Sequence, residues 1–256
     1  MLQISSVQVL DWINAFIWPL TRILGMIAMA PIFGSSAVPV RIKIILGIML
    51  AMIVAPTLHN LPRTDPVSLA GMVILMQQFL IGIAMGFAIQ VVFASVDMAG
   101  NMIGMAMGLG FASFYDPATN GNTPALSQFM TLLATMLFLS LNLHLVLLET
   151  LVDSFQTMPI GGSIPGSPGI WMHLVRTGAE VFSSGVQLAL PIVAALLVTN
   201  LALGILTKAA PQLNIFGIGF PITMTVGFVM IFILIPYLEA PMQHVFELGI
   251  ERARLR

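Results

Sequence analysis

Cysteine is absent from the 256 residues, which excludes disulfides, iron–sulfur ligation and thiol chemistry. Charge is nearly as scarce. Only 7% of the residues are Asp, Glu, Lys or Arg, against about 25% in an ordinary soluble domain. So small a charged complement cannot cover a water-facing surface, and the class is integral membrane protein. The net charge of −1 offers no basic field for nucleic acid, which is excluded as a partner. Histidines stand apart at 59, 144, 173 and 244, with no His-Glu-x-x-His pair for zinc. Phosphate-loop, dinucleotide and nucleophile-elbow signatures are missing too. No enzymatic activity, cofactor or metal is expected. Nor does any Lys or Arg precede Arg22, so the start lacks the basic region of a cleaved signal peptide and the first hydrophobic segment is expected to remain.

What is present is apolar: 58% of the chain is hydrophobic. A bilayer core about 30 Å thick requires about 20 apolar residues in a helix. Six long apolar segments cover 12–31, 42–58, 67–96, 125–152, 171–206 and 215–238. The second is short for a span, whereas the third and fifth are long enough to run past a membrane or bend. Residues 159–169 ("PIGGSIPGSPG") form the clearest loop. From Glu239 the tail is more charged and reads as a short amphipathic helix. If every segment crosses, the distribution of Lys and Arg favours a cytoplasmic C-terminus. No polar stretch is long enough for a soluble domain. The expected fold class is therefore all-α, a membrane-associated helical bundle of long, partly broken helices over 1–256, with Pro191 and Pro221 marking breaks.

One stretch stands out, "AGNMIGMAMGLGFASFYDPATNG" at 99–121. Gly100, Gly104 and Gly108 recur every four residues, so a helix would place them on one side and let a neighbour approach closely. Helix packing is the ordinary explanation of that spacing. Gly110 then adds freedom, Phe111 and Phe114 follow, and Asp116–Pro117 ends the run. Met102, Met105 and Met107 supply unbranched side chains that repack without strain. Each methionine alone is core filling. Together with glycine and phenylalanine they suit a surface that seals and then deforms. Charges within apolar segments are costly and mark functional candidates. Glu149, Asp153 and Glu180 lie near segment ends and read as interfacial. Arg22, half-way along its segment, is the buried charge to explain, and an acid on another helix is its expected partner.

The chain resembles the FliR family of flagellar biosynthesis proteins, components of the type III secretion export gate. The resemblance rests on Arg22, "APIFGSSAVPVRIK" (30–43), "QQFLIGIAMGF" (77–87), the 99–117 stretch, "MPIGG" (158–162) and "LALGILTKAAPQLNIFGIGFPITMTVG" (201–227). It implies a single copy assembled with P and Q export subunits in a helical complex, in the inner membrane at the flagellar basal body. The B-type switch subunit and translocating unfolded flagellar proteins are further implied partners. By the same resemblance, roughly 1–165 is P-subunit-like and roughly 166–256 Q-subunit-like, and strict six-span topology misreads the hydropathy. A channel plug is implied at Gly108, Gly110, Phe111 and Phe114, with Met102, Met105 and Met107 just before it. The chain departs from the family pattern at Ala106, where relatives often carry Gln, and at Gln78, where some carry Glu; the apolar seal is unaffected. The competing reading from the residues is a secondary transporter with helices broken at Pro191 and Pro221, using Arg22 and Asp97.

Overall fold

The computed structural model describes residues 6–58, 61–109, 125–162, 168–210 and 215–254. All regular structure among them is helical: α1 (Ser6–Met29), α2 (Val40–Val54) with a short 3-10 turn (Ala55–Thr57), α3 (Leu69–Ala106), α4 (Ala125–Ser140), α5 (Leu143–Thr157), α6 (Pro168–Ala209) and α7 (Ile215–Ala253). Local chemistry sets the boundaries. Pro39 precedes α2 in extended conformation, consistent with a residue that donates no backbone bond. Ser68 caps α3, its Oγ accepting from the Gly71 N–H at 3.1 Å, the usual service of an N-cap hydroxyl.

The membrane class holds. Five helices are long and apolar enough to span a bilayer, and α4 with α5 makes a sixth candidate if that pair is one span. Three details of the sequence reading change. The 125–152 segment is two helices, interrupted at residues 141–142. Asn142 sits between them at φ 55°, a left-handed geometry that asparagine tolerates better than most side chains. The expected breaks at Pro191 and Pro221 do not occur, because α6 and α7 run through them. Each proline removes a single backbone donor, a local defect in apolar helices of 42 and 39 residues. The tail after Glu239 is a continuation of α7 and not a separate short helix. Met242, Val245, Phe246, Ile250 and Ala253 are buried along it, and that spacing continues one helical face.

The chain comprises two compact units. The first holds residues 1–91, 142–178 and 248–256. Its core includes Trp18, Ile23, Met26, Ile27, Met85, Ile89 and Leu147. Glycines let α1 and α3 approach to backbone contact: a Cβ on Gly25 would lie 2.6 Å from the Phe79 carbonyl oxygen, and one on Gly82 would overlap the Arg22 carbonyl. The second unit holds 92–141 and 179–247. Its core includes three phenylalanines, Phe93, Phe138 and Phe246, with ring centroids 5.4–5.8 Å apart in edge or tilted geometry, an arrangement that aromatic quadrupoles favour.

Candidate functional site

The glycine–methionine stretch belongs to the second unit, and its parts have separate fates. Helix α3 ends at Ala106. Gly108 follows at φ 84°, and its N–H donates to the Met105 carbonyl at 3.0 Å, so it is a left-handed helix terminator. The expectation that Gly100, Gly104 and Gly108 share one packed helix side is therefore corrected. Gly100 is the packing glycine, with a Cβ there only 2.5 Å from Ser127 Cα. Gly104 has ordinary clearance, 3.9 Å from Leu126 Cβ. Beside this crossing, Asp97 of α3 accepts from Asn101 Nδ2 at 3.2 Å and from the Ser127 hydroxyl.

The three methionines are not equivalent. Met105 is 66% exposed, Met102 is half-buried, and Met107 has no exposed surface. Met107 fills a socket on α7. A Cβ at Gly227 would lie 2.5 Å from Met107 Cγ and 2.7 Å from its Sδ and Cε. One turn earlier on α7, Thr223 Oγ1 lies 3.2 Å from the Met107 carbonyl oxygen and 3.0 Å from that of Phe220. The residue just beyond α3 is thus held by its side chain in a glycine gap and by a hydroxyl on its carbonyl. Gly110, Phe111 and Phe114 lie outside the described residues.

Arg22 belongs to the first unit and is completely buried. Its partner is not an acid, which corrects the sequence expectation. Nε donates to Gln78 Oε1 at 2.8 Å. One terminal nitrogen donates to the Ser154 carbonyl at 2.8 Å and to Ser154 Oγ at 3.0 Å; the other donates to the Met158 carbonyl at 2.8 Å. The guanidinium also lies 4.3 Å from the centre of the Phe155 ring. The physical reason is local. Helix α5 ends at Thr157, and a helix C-terminus carries partial negative charge and carbonyls short of donors. Such an end receives a cation without a carboxylate. Glu149 and Asp153, also on α5, are exposed.

Around Arg22 the 158–162 turn is stitched to its neighbours. Gln77 Nε2 donates to the Gly162 carbonyl at 3.0 Å. Gly161, at φ 77°, packs against Pro62, whose own carbonyl accepts from Asn14 Nδ2 at 3.3 Å. Among the described residues no group of three His, Asp or Glu side chains converges as metal ligands would. The sequence reading named Gln78 only as a departure from the family pattern and did not pick out Ser154, Met158, Thr223 or Gly227 individually. The Gly82-x-x-x-Gly86 spacing was the available signal for the helix crossing beside Arg22. No spacing announces a carbonyl as the partner of a cation.

Comparison with known proteins places the chain among bacterial export proteins. The family described as bacterial export proteins, family 1, matches residues 13–249. The chain is 46% identical to the flagellar biosynthetic protein FliR of Escherichia coli (strain K12), over 96% of this chain and 94% of that protein. Identity to the flagellar biosynthetic protein FliR of Pectobacterium carotovorum subsp. carotovorum is 42%, with the same two coverages. For the FliR of Bacillus subtilis (strain 168) it is 29%, over 96% of each chain.

Proposed function

This chain belongs to the FliR family of bacterial export proteins and is a membrane component of the flagellar export apparatus; from that premise we propose that it is a structural and channel subunit of the type III export gate. In this reading it assembles with P and Q subunits in the bacterial inner membrane, contacts the B-type switch subunit, and helps to form and plug the conduit for unfolded flagellar proteins. Roughly residues 1–165 act as the P-like part and roughly 166–256 as the Q-like part. The plug comprises Gly108, Gly110, Phe111 and Phe114, with Met102, Met105 and Met107 leading into it.

The observation that carries the reading is the end of α3. An apolar helix is pinned through buried Met107 and turns immediately at left-handed Gly108, the first residue of the Gly-Leu-Gly-Phe run. That is what a stopper needs at its base: a fixed end beside residues with backbone freedom. Apolar constrictions hold back ions by dewetting, and Phe and Met offer no strong hydrogen-bonding groups to trap a passing polypeptide. Helix length adds support. Helices α3, α6 and α7 have 38, 42 and 39 residues, hence extend about 57–63 Å at 1.5 Å per residue, roughly twice the hydrocarbon thickness.

Two measurements test the proposal. Co-expression with P and Q subunits should give a stable hetero-oligomer by size, and a self-sufficient monomer would oppose it. In that complex, the double substitution Phe111→Gly, Phe114→Gly should raise ion conductance in planar bilayers. Unchanged conductance with assembly intact would remove the plug assignment.

A further inference from the structure

We propose that Arg22 acts as a C-terminal cap supplied to α5 from another helix, and that this contact sets where the 158–162 turn lies within the first unit. The inference concerns this chain's own folding and stands apart from the plug reading.

Three observations converge on it. First, both terminal nitrogens of the guanidinium donate to one helix end, reaching the carbonyls of Ser154 and Met158 and the Ser154 hydroxyl, all within 3.0 Å. Ser154 already accepts from the Met158 N–H at 2.9 Å, so Arg22 binds a carbonyl within the last turn and the one just beyond it. The planar fork of arginine suits two such acceptors, where a lysine would act as a point charge. Second, α1 cannot shift to offer another contact, because Gly82 lies against the Arg22 carbonyl with no room for a methyl group. The backbone that carries the cation is clamped by α3. Third, the residues after the capped end dock at once. Gly162 accepts from Gln77, the neighbour in sequence of the Gln78 that orients Arg22, and Gly161 seats on Pro62.

A buried cation held only by neutral oxygens is stable here because the helix end supplies its negative potential and Phe155 its ring face. Remove the cation and the carbonyls of Ser154 and Met158 lose a buried donor. The end of α5 then has reason to fray, and the 158–162 turn loses the platform that presents it to Pro62. Gln78 orients the guanidinium by accepting from Nε, so a glutamate there keeps the acceptor, whereas leucine does not.

The absence of native cysteine makes a disulfide a clean reporter. An ideal Cβ on Gly161 lies 3.3 Å from Pro62 Cβ, near the usual Cβ separation of about 3.5–4.5 Å in a disulfide. The pair Pro62→Cys, Gly161→Cys is placed in the full chain, co-expressed with its export partners in membranes, and the rate of oxidative cross-linking is measured at matched abundance. Any strain at left-handed Gly161 is common to all comparisons. Arg22→Met should slow cross-linking at least tenfold and Arg22→Lys by less. If Arg22→Met does not accumulate, Gln78 decides: Gln78→Leu should slow the reaction several-fold and Gln78→Glu should restore it. Cross-linking of Arg22→Met at the parental rate, or of Gln78→Glu as slowly as Gln78→Leu, overturns the proposal.

Discussion

A methyl group added to a glycine of this protein has opposite consequences at different positions. At Gly82 it meets the Arg22 backbone, which no rotamer change can move aside. Gly82→Ala should lower stability by about 1–3 kcal/mol through overpacking, read as an earlier thermal unfolding transition in detergent. At Gly204 nothing lies within 4 Å, so Gly204→Ala should gain up to about 1 kcal/mol from helix propensity in the same assay. Gly227 is intermediate, since the added methyl meets the flexible end of Met107. Gly227→Ala should destabilise, and Met107→Ala in the same chain should relieve most of that loss, with a coupling of about 0.5–3 kcal/mol in a double-mutant cycle. Additive effects would mean that the socket does not operate. These contrasts also show what was legible beforehand. The buried arginine could be singled out in the sequence because a charge at mid-segment is rare. Its partners could not, because backbone carbonyls carry no residue identity. The methionines looked alike because composition does not record that one faces a glycine gap while another, two residues away, points outward.

At the scale of elements, hydropathy located every long helix among the described residues but not the interruption between α4 and α5. Both halves are apolar and separated by two residues, so a sliding window sees one segment. The turn depends on the backbone of Asn142 rather than on any polar interruption. Asn142→Gly should preserve the left-handed turn, whereas Asn142→Val should cost about 1–2 kcal/mol, the usual penalty of left-handed geometry for a residue with a full Cβ. Thermal unfolding of the two variants separates them, and equal behaviour would mean that the φ of 55° at Asn142 is not required. Prolines misled the sequence reading in the reverse direction. Pro191, Pro221, Pro236 and Pro241 all lie inside helices, where removing one hydrogen bond is a local defect in a helix of about forty residues. The boundaries that were legible, such as Pro39 before α2, are those where proline and a change in hydropathy coincide.

On the scale of the whole molecule, the question is what covers so much apolar surface. Large hydrophobic side chains are exposed along α6 and α7, among them Phe182, Leu190, Leu197, Leu201, Phe228 and Phe232. Lipid can cover a band about 30 Å deep. Helix α6 rises about 63 Å if straight, and exposed apolar residues run along it from Val175 to Ile205. Thirty residues of rise, about 45 Å, exceed that band even for a helix tilted by about 40°, the upper end of the usual range. The stripe extends beyond what the hydrocarbon core alone covers, which accords with an apparatus of several subunits. Single cysteines in this cysteine-free chain can tell the two environments apart. Leu201→Cys and Phe232→Cys, labelled with a small maleimide in detergent, should react in the isolated chain, and those covered by a neighbouring subunit should become protected on co-purification with P and Q subunits. A lipid-facing position would label equally in both preparations. If every exposed apolar position along α6 behaves in that second way, the helix has no protein neighbour and the assembly reading fails at its largest surface.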